Sequence, residues 1–526
     1  MSAFGSGSNS NGNFWYGNST NFPGFLYKKN VGVGGRRSTK MGPGGNITCN
    51  SSTYLYNKYK PGVNGVGAIS TSNRRAKNRL ASVCGGGNSQ CGPFYQYLGR
   101  YDNYTGNPNG YFPYPIYKQN LPSTPNPPGP SPGPVYEWRS LGTGTNNGVS
   151  SSSNTPNVKA IAADSNGNIY VGGDFLTAGN SANTAFVAVY SSTTSTWYSL
   201  GGPTTNINAQ VKSIAINPTN GYVYVGGDFS NGPVPGPNNF IALWVPGATL
   251  GTGTWYSLSG GVDNDVNSIA IDQTGNVYVA GYFGNAYNGI TPATPTNYSN
   301  SFAKWVPGIT VGTGTWYGIS NTTGQPSYIN SFGTAIAIDY GKNYIYVGSE
   351  YPSNQPHILF YDGINWYTLG SGIFTNQTDT FSGGYPSTIA VNQNTHEVYV
   401  GGSFIQVAGI TNTGYIAKWT PGSTPGYGTW SGLGNGLNGE VFSISINQTT
   451  GDVYVGGNFP QIGSVANTTN MAMWSPSSNT WSSLGSGVNG SIDAINVDSG
   501  QNVYLGGSFT TSGGIQANSV AVYHVV

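Results

Sequence analysis

The strongest constraint on this chain is a seven-residue stretch that keeps returning. Its first copy is Ile169-Tyr170-Val171-Gly172-Gly173-Asp174-Phe175. The tyrosine reappears as Tyr224, Tyr278, Tyr346, Tyr399, Tyr454 and Tyr504, at intervals of 54, 54, 68, 53, 55 and 50 residues. Self-similarity at a period near fifty restricts the chain to a solenoid or a radial array of supersecondary units. Each copy lies within a unit of four short runs. In the third unit these are Val266–Ile271, Val277–Gly281, Phe302–Trp305 and Thr315–Ile319. The runs are rich in Val, Ile, Tyr and Trp and are separated by Gly, Asn and Thr, which is strand chemistry with turn punctuation.

Four strands per unit, repeated radially, define a β-propeller blade. The two ends of the repeat indicate how the ring closes. The seventh unit has strands at Ile492–Val497, Val503–Gly507 and Val520–Val526, and no fourth, Trp-bearing run follows. A matching run, Tyr136–Leu141 with Trp138, stands before the first complete unit and aligns with Trp197–Leu200 and Trp481–Leu484. The expected fold is therefore all-β: a seven-bladed propeller of four-stranded blades over residues 135–526, its last blade completed by the N-terminal strand around Trp138. Closure of this kind removes exposed sheet edges. The Trp residues of the outer strands are expected to fill the gaps between blades.

A Gly-Gly pair ends the second strand of a unit, an aromatic ends the third, and a Trp begins the fourth. Tyr190 and Trp197, Trp244 and Trp255, and Trp474 and Trp481 carry this pattern, which resembles the kelch repeat. Unit three departs from it with Ala280-Gly281, and unit four with Gly348-Ser349. The resemblance implies a fold and leaves function open, because propellers host both enzymes and binding modules.

Charge divides the chain into unlike halves. Residues 1–134 hold 13 of the 19 Lys and Arg and a single acid, Asp102, giving +12. Residues 135–526 hold 6 basic and 16 acidic residues, giving −10. Such asymmetry suggests that the basic part meets an acidic partner. Only 7% of residues are charged, against about 25% in an ordinary globular protein. The surface is thus built of Asn, Ser, Thr, Gly and Tyr, which suits an extracellular or particle-bound protein. The start, Met1–Ser8, has neither a basic n-region nor an apolar h-region, so no secretory signal is expected. No apolar run is long enough to span a membrane. An outside-type surface without an export signal fits a virion component made in the host cytoplasm.

The N-terminal part reads as a docking segment over 1–120 and a Pro-rich linker over 121–134. Residues 1–27 look like an extended arm that orders on a partner. The basic positions Lys28, Lys29, Arg36, Arg37, Lys58, Lys60, Arg74, Arg75, Lys77 and Arg79 are the candidate partner-binding residues. One short helix is expected over 72–83, with Ser72 as its cap and Ala76, Leu80 and Val83 on one face. Seven prolines in Leu121–Pro134 favour extended polyproline II, a spacer on the order of 40 Å. The stretches Tyr56–Val63 and Ser72–Leu80 resemble the N-terminal region of virion proteins of large algal and protist DNA viruses. That resemblance implies attachment to capsid proteins. Nucleic acid is the less favoured partner of the same clusters, although the interleaved tyrosines could stack on bases.

Catalytic and metal sites are weighed against simpler uses. Asp164–Asn168 resembles part of a calcium loop, but no acid stands at the twelfth position, and a hairpin turn explains Asp, Asn and Gly equally well. Asp174 and Asp228 follow Gly-Gly pairs near the ring mouth, where a glycosidase would need facing carboxylates; local turn hydrogen bonding is the preferred reading. His357, His396 and His524 are scattered, which argues against zinc or copper. No cofactor, metal or catalytic residue is expected. Cys84 and Cys91 could close a small loop, and the Asn-x-Ser/Thr sequons carry little weight. The reading is a structural virion protein at the capsid surface, not an enzyme. It displays its propeller for interaction or host attachment, with a host glycan or receptor met by the long second-to-third and fourth-to-first loops. The linker joins at the start of a fourth strand, on the opposite, short-turn face, so the long loops should point outward. The alternatives are a carbohydrate-binding adhesin of non-viral origin and a propeller hydrolase or oxidase.

Overall fold

The second strands of the seven units are buried on both sides, and this sets the architecture. Val223–Gly227, Val277–Gly281 and Val398–Gly402 are buried at every position, so each sheet is sandwiched between two others. The computed structural model describes residues 136–525 apart from 153–154, 202–206, 231–239, 289–296, 299–300, 320–331, 351–356, 371, 374–380 and 383. It also describes three short strands nearer the N-terminus. The chain divides into two units, Met1–Ser131 and Pro132–Val526. In the first unit, Gly5–Ser8, Phe14–Gly17 and Tyr27–Lys29 form a small antiparallel sheet. The expected helix over 72–83 and the whole Pro-rich stretch over 121–134 lie outside the described residues.

The second unit is the seven-bladed propeller. Blade 1 is Asn157–Ala163, Asn168–Asp174, Val187–Ser191 and Thr196–Tyr198, antiparallel throughout. Five further blades repeat this order, and blade 4 adds a fifth short strand, Gly372–Ile373. Blade 7 joins Ser491–Val497, Val503–Ser508 and Val520–Val525 to Tyr136–Ser140, with Trp138 opposite Tyr523. The closure expected from the sequence is the one observed. Among the described residues the one helical element is the 3-10 turn Gly144–Asn146.

The hydrophobic core is seven wedges, one between each pair of neighbouring blades. The outer end of every wedge has the same polar lock. Each fourth-strand Trp donates its indole N–H to the carbonyl of an apolar residue on the preceding blade. Trp138 bonds Leu484, Trp197 Leu141, Trp255 Leu200, Trp316 Leu258, Trp366 Ile319, Trp430 Leu369 and Trp481 Leu433, at 2.8–3.3 Å. The acceptor always stands three residues after that blade's own Trp, so the seven bonds close a circle. The same Trp residues pair with the third-strand aromatic of their own blade, with ring centroids 5.1 Å apart for Tyr190 and Trp197 and 5.2 Å for Trp474 and Trp481. A buried indole needs an acceptor, and here the neighbouring blade supplies it.

The repeated tyrosine works at the other end of its strand. Tyr278 and Tyr504 donate to Asp272 and Asp498 of their own first hairpin turns. Burial and the adjacent acids raise these phenols, and burial with the nearby Tyr222 hydroxyl raises that of Tyr224 to about 12. In the turns themselves, Asp164 accepts from the N–H of Asn166 and Asn168 and from the Asn168 amide. Asp272 and Asp498 do the same with their own neighbours. The calcium-like stretch is a hairpin turn held by its aspartate. The Asp272 carboxyl lies below the usual carboxylate range: burial pushes it up, but the hydrogen bonds from Thr274 and Asn276 outweigh that.

The Gly-Gly pair has a reason in two directions. A Cβ on Gly172 would meet Val211 of the next blade at 2.3 Å, and one on Gly173 would meet the Asn157 carbonyl of its own blade at 2.0 Å. The first glycine makes room for the neighbour's inner strand and the second for a β-bulge. The departures in units three and four are a size exchange. Blade 3 carries Ala280, and the blade 4 residue in the place of Val211 is Gly333. Ser349 likewise lies opposite Gly333 in the ladder.

Two expectations follow. Removing residues 1–134 should leave the propeller folded, whereas removing 1–142 takes out a blade 7 strand and lowers the melting temperature; equal melting temperatures would show that this strand is dispensable. Gly333→Val should cost about 1–3 kcal/mol by overpacking, and adding Ala280→Gly should restore part of that in denaturant titrations. Strictly additive effects would mean that the two positions do not exchange volume.

Candidate functional site

The two ends of the propeller's channel differ in chemistry. At the end bearing the first hairpin turns, polar groups bond to one another from blade to blade. Gln393 donates its side-chain amide to the Ile338 carbonyl and accepts from the Tyr340 N–H. Gln448 repeats this with Val391 and Gln393. His396 Nδ1 lies 2.9 Å from the carboxylate of the fully buried Asp339. This end satisfies itself.

The opposite mouth is built where first strands begin and second strands end. All seven first strands carry a bulge there, around Lys159, Lys212, Asn267, Thr334, Ser387, Phe442 and Asp493. A bulge re-aims side chains and bends the strand, and such irregularities concentrate at functional rims. Just outside the bulges, cross-strand neighbours form the rim: Asn157 with Asp174, Gln210 with Asp228, Asp265 with Tyr282, Phe332 with Glu350, Tyr385 with Ser403, Glu440 with Asn458 and Ser491 with Ser508. The sequence singled out Asp174 and Asp228 for this place. It missed the bulge residues, although the bulge is written in the apolar spacing: the apolar positions of the first strand step by three and then by two, as in Val266, Ile269 and Ile271.

Asp228 differs from the local turn bonding expected of it. Its carboxylate pairs with Lys212, and Lys212 also reaches Asp265 of blade 3 at 3.1 Å. Burial raises the Asp228 carboxyl, with Lys212 working against it. Burial alone would lower the Lys212 ammonium, yet the two carboxylates hold it above the usual lysine range. The arrangement clamps blade 2 to blade 3. On the blade 3–4 side, the Asn267 amide donates to the Gly333 carbonyl at 2.9 Å. Next to it Tyr282 and Phe332 stack, with centroids 3.3 Å apart and planes 1° from parallel. Among the described residues no group of three or more His, Cys, Asp or Glu side chains is placed to hold a metal ion.

Of the ten basic candidate residues, Lys28 and Lys29 lie on the strand Tyr27–Lys29, opposite Trp15 and Phe14. Arg36, Arg37, Lys58, Lys60, Arg74, Arg75, Lys77 and Arg79 lie outside the described residues, as do Cys84 and Cys91.

Known proteins relate to this chain chiefly through its fold. Residues 429–525, from the fourth strand of blade 5 through the third strand of blade 7, match the family model of the Rax2 C-terminal beta propeller domain. No curated protein matches the chain. Among the similar solved structures are two of the extracellular domain of a B. thetaiotaomicron protein, described in one as a one-component system and in the other as a hybrid two-component system. The first is 13% identical with a TM-score of 0.41 and is matched over 72% of this chain and 39% of its own. The second is 12% identical with a TM-score of 0.42, over 74% and 40%. The chain thus spans about two fifths of the length of those structures.

Asp493, the blade 7 bulge residue, provides a test of the mouth's electrostatics. Burial raises its carboxyl above the usual range, while Lys159 and the Asn157 amide of blade 1 pull the other way. An acid with a raised folded pKa holds its proton more tightly when folded. Its ionisation therefore costs stability as pH rises above the unfolded carboxylate value of about 3.9. Asp493→Asn should raise the melting temperature at pH 7 and lose that advantage below about pH 4. A variant no more stable than the parent at pH 7 would show that Lys159 fully offsets the buried charge.

Proposed function

We propose that this chain is a non-enzymatic structural protein, in which a rigid propeller is displayed for binding and a basic N-terminal segment serves as its anchor. The observation that carries this reading is the division of charge, +12 in residues 1–134 against −10 in residues 135–526. It sets an anchor suited to an acidic surface beside a head that such a surface repels. The closed fold fits a binding or display role: bonds linking each blade to the next make a stiff scaffold, and long loops on stiff scaffolds are where recognition is carried. Two carboxylates of the mouth, Asp228 and Asp265, share the Lys212 ammonium. That supports a clamp between blades over an acid–base pair aimed at a substrate.

The setting we propose is the capsid surface of a large DNA virus of algae or protists, with the protein made in the host cytoplasm. Its support is the resemblance of Tyr56–Val63 and Ser72–Leu80 to the N-terminal region of virion proteins. Arg74, Arg75, Lys77 and Arg79 would then contact capsid proteins. Changing these four to Ser should reduce the protein retained on salt-washed particles several-fold while leaving the propeller's melting temperature unchanged. Retention equal to the parent would remove this cluster from the anchor.

A further inference from the structure

We propose that the arc of the mouth over blades 3, 4 and 5 is a docking surface for a peptide segment bearing arginine or lysine. The proposal rests on the reading of the propeller as a binding head, and it names the chemistry that the head would take.

Tyr282 and Phe332 come from adjacent blades, lie face to face, and are 45% and 38% exposed. Most other blades put Asp, Asn, Gln, Glu or Ser at these two rim positions. Neither ring belongs to a core wedge. Two large rings side by side on an exposed rim gain less from folding than buried ones, and such patches commonly mark binding surfaces. Their contact depends on Gly333: a Cβ there would meet the Gly281 nitrogen and the Ser301 oxygen, each at 2.7 Å. The missing side chain lets the blade 4 inner strand come close enough for Phe332 to cover Tyr282.

Carboxylates flank the stack on both sides. Asp265 is the cross-strand neighbour of Tyr282, and the exposed Glu350 is that of Phe332. Next around the rim comes Tyr385, within the influence of both Glu350 and Glu440. The arc therefore alternates aromatic faces with carboxylates. A guanidinium is suited to both, stacking flat on a ring and forking onto a carboxylate, and an ammonium meets the same pair as a point charge. Charge complementarity points the same way. The mouth carries Asp174, Asp228, Asp265, Glu350, Glu440 and Asp493 against Lys159 and Lys212, a net charge of −4. An anionic partner would be repelled, and a neutral saccharide would draw nothing from that charge.

The test uses the full chain with three probes: a labelled nine-residue peptide alternating Arg and Gly, the same peptide with Ser for Arg, and a panel of neutral oligosaccharides. Binding is followed by fluorescence anisotropy at two salt concentrations for the parent, Tyr282→Ala and Glu350→Gln, with melting curves as the folding control. The Arg peptide should bind, weaken as salt rises, and lose roughly fivefold to tenfold in affinity in each variant. Glu350 is exposed, so Glu350→Gln keeps the test decisive even where Tyr282→Ala disturbs the fold. The proposal is overturned by no binding of the Arg peptide to the parent, or by affinity unchanged in Glu350→Gln. It is equally overturned by an oligosaccharide that binds the parent and is lost in Tyr282→Ala while the peptide does not bind. No particle enters this assay, so failure here leaves the N-terminal anchor standing, and failure of the anchor leaves this surface standing.

Discussion

The propeller depends on the bond between a fourth-strand indole and the carbonyl of the blade before it. A blade is an open sheet that cannot bury both of its faces alone. The ring solves this only while every wedge stays shut at its wide outer end. An aromatic ring fills that end, and its N–H requires an acceptor once water is excluded. Drawing the acceptor from the neighbour converts a requirement of one blade into a link between two. Each such bond contributes only about 1 kcal/mol net, but seven in a circle leave no blade unlinked to its neighbours. Trp138 matters most for topology, because its bond to Leu484 and its pairing with Tyr523 join the start of the propeller to its end.

The inner end of the wedges is governed by volume. Glycine on one blade and valine or isoleucine on the next recur at five of the seven junctions, where a Cβ on the glycine would come within 2.3–2.6 Å of that neighbour's side chain. At the junction of blades 3 and 4 the sizes are exchanged between Ala280 and Gly333. At the next junction Gly348 meets Pro386 at a looser 3.3 Å. Variation thus gathers at two adjacent junctions, and the aromatic stack stands beside the first of them. A local change in packing is what gives this ring, otherwise repetitive, one distinctive sector.

The two channel ends divide the labour. One end spends its polar groups on bonds between adjacent turns. The other gathers carboxylates, two lysines and exposed aromatic rings around seven bulged strands. That contrast supports placing recognition at the long-loop mouth.

The sequence alone settled the number of blades, the order of strands within each and the strand that completes the last one. Those features follow from local alternation and from a repeat long enough to count. It also marked the tryptophans as wedge fillers, though not their acceptors. Tertiary structure decided what depends on how one blade lies against the next. Lys212 bridges to Asp265 from 53 residues away, and Tyr282 meets Phe332 across 50. The left-handed backbone at Phe186, Phe240 and Tyr415, with φ of 65°, 67° and 62°, has no compositional signal. Nothing in a Phe or Tyr favours that conformation; the chain adopts it because it must turn back into the third strand, where its backbone groups bond Gly173, Gly227 and Gly402. Ala280-Gly281 reads as an irregularity until Gly333 is seen opposite it, because complementarity between blades is a property of pairs and a repeat displays only single positions.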